Sequence, residues 1–319
     1  MASVLITGGH SGIGLECSRS LAAQGYNVVL AGRSLARMES VADELRTAHG
    51  VHVGMVEIDT SSLASVRSAA AHCRSMVEDG EIDSLVAVIC NAGGRFDGPE
   101  RYSPEGYELT FATNCLGHFL LVELLCPVVA ADGRFVFTAS GTHDPDTMDG
   151  KLVGAAVEPN AVALANDGKD GAKALSAGKR YSTSKLCDVL YAYELARRLD
   201  RAGSSITAIA FDPGAIPDTG FLRDMPKAVQ WIAKSRPMGW LEKRIGVTTS
   251  TAEFSGAALA EVAVDPKHSS GSYLQAKEGR LSKRRSSTVS YDEGRAAALW
   301  NDSKQLAGLR SDEEPAELR

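Results

Sequence analysis

The chain has 319 residues, 44% hydrophobic and 23% charged, with a net charge of −6. That composition is ordinary for a soluble globular protein with a full core, and the acidic balance argues against nucleic acid or an anionic membrane as the main partner. Six cysteines, at 17, 73, 90, 115, 126 and 187, show neither C-x-x-C nor zinc spacing and read as reduced core thiols.

In chain order, apolar SVLIT (3–7) begins at once, with no signal-peptide pattern ahead of it. A helix near 12–24 is followed by NVVLAG (27–32), a helix near 34–48, HVGMVEID (52–59) and a helix near 62–78. SLVAVICNAG (84–93) reads as a fourth buried strand, 104–131 as one long helix, and GRFVFTAS (133–140) as a fifth strand. A helix running to about Asp200 carries Tyr181 and Lys185, and SITAIAFDPG (205–214) is the sixth strand. Near-continuous apolar strands separated by helices predict a single α/β domain over 1–310, a doubly wound parallel sheet covered on both faces.

Two segments break the rhythm. Residues 142–178 are rich in Gly, Ala, Asp and Pro and are expected as a surface insertion. Residues 217–246 carry Phe221, Met225, Trp231, Met238 and Trp240, which either pack as core or form a lid over an apolar substrate. KEGRLSKRR (277–285) reads as a solvated loop and 311–319 as a frayed tail. HFLLVELLCPVVAA is too short to span a bilayer and carries Glu123, so a soluble, cytoplasmic protein is expected.

TGGHSGIG (7–14) runs from the first strand into the first helix. Glycines there admit a pyrophosphate close to the backbone, and the helix N-terminus faces it with N–H groups, which is the Rossmann-type arrangement. An acid at the end of the second strand would bind a ribose 2′-hydroxyl. Here Arg33 stands instead, suited to a 2′-phosphate and therefore to NADP(H).

RYSTSKLCD (180–188) places a tyrosine four residues before a lysine, on one face of a helix. Alone, such a pair is as compatible with an exposed tyrosine beside a solvated lysine as with a proton donor.

With TGGHSGIG, CNAG, TNCLGHF, Ser140 and YSTSK in this order, nearly the whole chain resembles the short-chain dehydrogenase/reductase family. The resemblance implies that Thr7, Gly8, His10, Ser11, Gly12, Ile13 and Gly14 hold the cofactor phosphates. It also implies that Asp59 and Thr60 flank the adenine and that Asn91, Ala92 and Gly93 line its ribose side. Pro213, Gly214, Ile216 and Thr219 are the matching nicotinamide positions, and Asn114, Ser140, Tyr181 and Lys185 are the catalytic tetrad. A free phenol has a pKa near 10, poorly matched to neutral pH. Lys185 and a cationic nicotinamide are expected to lower it. Ser140 would hold the substrate oxygen, Lys185 the nicotinamide ribose, and Asn114 a proton-relaying water.

TNCLGHFLL, CNAG, Cys187 after YSTSKL, DTGFLRD (218–224) and RAAALWNDSKQLAGL (295–309) are further similar to the light-dependent protochlorophyllide oxidoreductase branch, and some are shared with retinol-dehydrogenase-like reductases. The chain departs from the pigment branch at Ala215, where that branch has a cysteine, and at Asp218, where family members commonly have Thr. The insertion also lacks the branch's loop sequence. The implied activity is NADPH-dependent hydride transfer to or from a carbonyl or alcohol of a bulky apolar small molecule. Light-driven reduction of protochlorophyllide and a nonenzymatic NADP-binding role are the alternatives. The family often dimerises through helices matching 104–131 and 180–200, so a monomer or a homodimer is expected.

Overall fold

A computed structural model of the chain describes residues 2–216 and 249–319. The lid segment 217–246, with Asp218 and Thr219, lies outside the described residues. Strands β1 (Ser3–Thr7), β2 (Asn27–Gly32), β3 (Val53–Glu57), β4 (Leu85–Cys90), β5 (Val129–Thr138) and β6 (Thr207–Asp212) form where the apolar runs predict them. β7 (Ser272–Lys277) and β8 (Arg280–Arg284) extend them to one eight-stranded sheet of order β3-β2-β1-β4-β5-β6-β7-β8. β1 to β7 run parallel and β8 turns back antiparallel. The stretch KEGRLSKRR is thus an edge hairpin rather than a solvated loop. Its charges mask the strand signal because an edge strand keeps one side in water.

Both faces of the sheet are covered. Helices α1 (Gly12–Ala23), α2 (Leu35–His49) and α9 (Ala252–Val264) lie on one face over a core that includes Val4, Ile6, Leu30, Val136 and Leu259. On the other, α3 (Leu63–Glu78), α8 (Ala177–Arg201) and α10 (Glu293–Leu306) enclose a larger core with Leu5, Val88, Phe119, Phe135 and Trp300. Burial on both sides is why every residue of β1 and β2 is buried, and why these strands read as nearly unbroken apolar runs.

The expected helix over 104–131 is shorter and interrupted. It comprises α4 (Leu109–Phe111), a π-helical turn (Ala112–Leu116), α5 (Gly117–Leu125) and a 3₁₀ turn (Cys126–Val128). The Glu108 carboxylate accepts from the Phe111 N–H at 2.9 Å and caps the start. Residues 103–107 form a turn instead, and Val129 already belongs to β5. The stretch Leu109–Val128 is apolar enough to cross a membrane by length, yet 89% of its most apolar window is buried inside the protein. It is the central helix of the fold.

Segment 142–178 is not wholly superficial. It carries α6 (Met148–Val153), capped by Thr147, and α7 (Ala161–Ala165), capped by Asn160. Ala161, Leu164 and Ala165 join the main core. Each helix spans too few residues to show a period, so the sequence signal was absent.

The C-terminus is docked rather than frayed. Arg198 Nη1 donates to the Leu318 carbonyl at 2.7 Å, Arg67 pairs with Glu313 at 3.0 Å, and Leu318 is fully buried. Upstream, the Trp300 ring meets Phe119 edge-on at 4.9 Å and lies under the Arg198 guanidinium at 5.1 Å, while Tyr191 and Ser303 share a 2.6 Å hydrogen bond. α10 and the C-terminal residues thereby cover part of the helices 104–131 and 180–200 expected as a dimer face.

Glu123 sits on α5 under this cover. Its two oxygens are buried without a well-formed hydrogen bond, and the Trp300 indole N–H lies close enough only to favour the carboxylate weakly. Burial, with the Glu314 carboxylate, pushes the Glu123 carboxyl up to about 8 against the weaker pull of Lys304 and Arg198. The folded group therefore ionises later than the unfolded one. Its contribution to stability is intact at low pH and is lost progressively as pH rises from the unfolded value of 4.5 toward 8. Glu123→Gln is expected to match the wild type near pH 5 and to exceed it by a few kcal/mol at pH 8 in denaturant titrations. A stability difference that does not vary with pH would contradict this.

Candidate active site

The order of the parallel strands reverses between β1 and β4, and the loops leaving their C-terminal ends diverge there to open a crevice. β1 ends at Thr7, Ser11 occupies the N-cap of α1, and the helix starts at Gly12. Ser11 makes no side-chain bond to its own helix. A Cβ on Gly14 would stand 2.3 Å from the Gly8 carbonyl, whereas beside Gly12, at φ +54°, there is open space. A side-chain-free hollow at a helix N-terminus fits the pyrophosphate of a dinucleotide. Ile13 lies on the first turn of α1, and His10 packs against the backbone at Gly32.

Thr7 ties two loops together. Its hydroxyl accepts from the N–H groups of Asn91 and Ala92, both at 2.9 Å, and the Asn91 amide donates to the Thr7 carbonyl at 3.0 Å. Gly93 follows with no room for a side chain, since a Cβ would stand 2.8 Å from Asn114 Oδ1. Asp59 is fixed by the Ser61 N–H and hydroxyl, and Thr60 is buried with its carbonyl pressed against Gly117. Arg33 is exposed at the end of β2, near Arg37 on the first turn of α2. His10 is held below its usual pKa first by burial and then by the charges of Arg37 and Arg33, so both guanidinium groups converge beside the loop. Sequence reasoning singled out Arg33 and missed Arg37. At the far end, the Gly214 N–H donates to Asp212 at 2.9 Å, Ser255 donates to the Pro213 carbonyl at 2.6 Å, and Ile216 is buried.

The four candidate catalytic residues converge beyond this cradle. Ser140 follows β5, Tyr181 and Lys185 share one face of α8, and Asn114 lies in the π-helical turn. Ser140 is hydrogen-bonded to Tyr181, and the Lys185 ammonium lies 5.9 Å from the Tyr181 ring centre. Lys185 Nζ donates to the Thr138 carbonyl at 2.7 Å and to Asp188 Oδ2 at 3.0 Å. The Tyr181 phenol is raised above its ordinary value. Burial outweighs the favourable Lys185 charge and the Ser140 bond, and the carboxylates of Asp212 and Asp188 act in the same direction as burial.

The Asn114 side chain is committed to structure. Its amide donates to Gly94 O at 3.0 Å and to Ser184 Oγ at 2.9 Å, and its Oδ1 accepts from the Gly94 N–H at 3.0 Å. It therefore bridges the cofactor-side loop and the catalytic helix. His118, within TNCLGHF, was also passed over. Its Nε2 faces Thr7 Oγ1 at 3.0 Å and its Nδ1 faces the Asn114 carbonyl at 3.0 Å. Burial pushes His118 down to about 4, so the ring is neutral at physiological pH. A neutral ring carries one proton, which must sit on Nδ1 to reach the carbonyl, leaving Nε2 to accept from Thr7. Beside Ser140, a cleft of about 460 Å³ reaches His143, Asp149, Tyr273, Lys277 and Arg284. Its described wall is mainly polar.

A short chain dehydrogenase family model matches residues 2–147. A polyprenol dehydrogenase of Danio rerio is 31% identical over 96% of this chain and 86% of its own length. A chloroplastic protochlorophyllide reductase of Chlamydomonas reinhardtii is 29% identical over 96% of this chain and 78% of its own. Among solved structures, an uncharacterised protein from Mycobacterium paratuberculosis matches with a TM-score of 0.70 and 28% identity, covering 97% of this chain and 94% of that one.

Removing the Arg33 guanidinium tests the cofactor end of the site. Arg33→Ala is expected to weaken NADPH binding about tenfold or more by fluorescence titration while leaving NADH binding unchanged, since charge-assisted hydrogen bonds are worth about 1.5–3 kcal/mol. Equal loss for both nucleotides would show that Arg33 supports the loop rather than reading a phosphate.

Proposed function

The chain belongs to the short-chain dehydrogenase/reductase family, and on that premise we propose that it is an NADP(H)-dependent oxidoreductase of a carbonyl or alcohol carried by a bulky, largely apolar small molecule. The observation that carries this reading is the meeting of Ser140, Tyr181 and Lys185 beside the glycine cradle. When bound, NADPH supplies the hydride. Ser140 hydrogen-bonds the substrate oxygen as negative charge develops on it, and Tyr181 delivers the proton that the oxygen needs. In the alcohol-oxidising direction Tyr181 takes that proton back. Lys185 keeps positive charge against the phenol and has one ammonium proton left for the nicotinamide ribose, because the other two are given to Thr138 and Asp188. Two relatives are named for polyprenol, a long isoprenoid alcohol, and protochlorophyllide, a planar tetrapyrrole, and both are large, which supports a large substrate. Among the described residues, the one apolar helix of membrane length is a core helix. The same reading favours a monomer, because α10 covers part of the family's usual dimer face.

The second reading, light-dependent reduction of the protochlorophyllide double bond, draws on the Chlamydomonas relative and is opposed by Ala215. A nonenzymatic NADP-binding role is opposed by the presence of all four catalytic side chains.

NADPH consumption with a ketone and quinone panel in the dark, beside protochlorophyllide under light, separates the three readings. Dark turnover that Tyr181→Phe lowers about a hundredfold or more, with NADPH binding retained, is the expected result. Turnover only with illuminated pigment favours the second reading. Turnover that Tyr181→Phe leaves unchanged would remove Tyr181 from the chemistry.

A further inference from the structure

Asp188 is 2% exposed, three residues beyond Lys185 on α8, and the two side chains form an ion pair at 3.0 Å. Its second oxygen, Oδ1, has no hydrogen-bond partner among the described residues. A carboxylate kept only for structure would have its acceptor sites filled, because burying an unsatisfied charge is costly. An asparagine could accept the same Lys185 proton without that cost. What the carboxylate adds is charge, next to the lysine whose own charge acts on Tyr181.

We propose that Asp188 is a positioning residue for Lys185: it anchors the ammonium against the Thr138 carbonyl and attenuates the positive field that reaches the Tyr181 hydroxyl. This rests on the reading of Tyr181 as the proton donor. The groups facing the pair are few. Cys90 comes from β4, Cys115 from the π-helical turn, Asp212 from β6 and His118 from α5, while Cys187 and Tyr191 stand on α8 itself. Burial raises the Cys90 and Cys115 thiols well above their usual range and keeps His118 neutral, so these three carry no charge near neutral pH. Asp188 and Asp212 are left as the anions acting on the phenol. Asp188, raised by burial to about 6, is ionised above that pH. An attenuated lysine keeps Tyr181 protonated over a wider pH range, which favours proton donation and hence reduction over oxidation.

The test needs no substrate. Ultraviolet phenolate absorbance of the NADP⁺-bound protein is titrated for the wild type, Tyr181→Phe and Asp188→Asn, and the Phe variant identifies the transition that belongs to Tyr181. Asp188→Asn is expected to move that transition down by about one pH unit, the size of one charge acting over several ångströms at a protein-like dielectric. An unmoved or upward transition would overturn the proposal and leave Asp188 as a packing group. Should Asp188→Asn not fold, Asp188→Ser carries the same expectation. A titration that Tyr181→Phe leaves wholly unchanged would mean that Tyr181 does not ionise in the accessible range, and would instead overturn the underlying reading of Tyr181 and the proposal with it.

Discussion

One chain of buried hydrogen bonds holds the cofactor side of the molecule to its catalytic side. It runs from the Thr7 hydroxyl to His118, from His118 to the Asn114 carbonyl, and from the Asn114 amide to Ser184, whose hydroxyl donates to the Tyr181 carbonyl at 2.7 Å. Thr7 ends β1 and Ser184 lies on α8, far apart in sequence. The links are directional, and a neutral His118 protonated on Nδ1 serves both of its neighbours. The π-helical turn belongs to this scheme, because its extra residue sets the Asn114 side chain toward Gly94 and Ser184 while its carbonyl faces His118.

Burial sets the electrostatics of the site. It pushes Tyr181 up and His118 down, disfavouring the charged form in each case. Lys185 is the exception: neighbouring groups, led by the Asp188 carboxylate, offset burial and hold it above its ordinary value, so it stays protonated. On the proposed reading, a charged lysine, a neutral histidine and a protonated phenol beside a serine hydroxyl suit the site to giving a proton, and the positive charge of an oxidised nicotinamide would favour the reverse.

Much of this was legible in the sequence because the pattern is local. Six parallel strands announce themselves as apolar runs, the glycine cradle sits at the required strand-to-helix junction, and the Tyr181–Lys185 spacing fixes a shared helix face. What was missed depends on distant parts of the chain. β8, at the edge of the sheet, carries charges that disguise it, and the docking of 311–319 needs Arg67 and Arg198 from remote helices. The two short helices within 142–178 are set by caps rather than by period. Asp188 was visible beside Lys185, but its effect on Tyr181 arises from shared burial, which spacing does not reveal. Arg37 and His118 acquire a role only when the loops around Thr7 and Ser34 are folded.

The central claim, that this arrangement moves hydride from NADPH to carbon with Tyr181 supplying the proton, is tested most directly by following isotope. The protein would be incubated in the dark with NADPH deuterated at the transferred position and a carbonyl substrate from the panel. Deuterium on the carbon of the product alcohol, lost with Tyr181→Phe, is the result the account predicts. Oxidised NADPH with unlabelled product, or labelled product from the Phe variant at the wild-type rate, would contradict it.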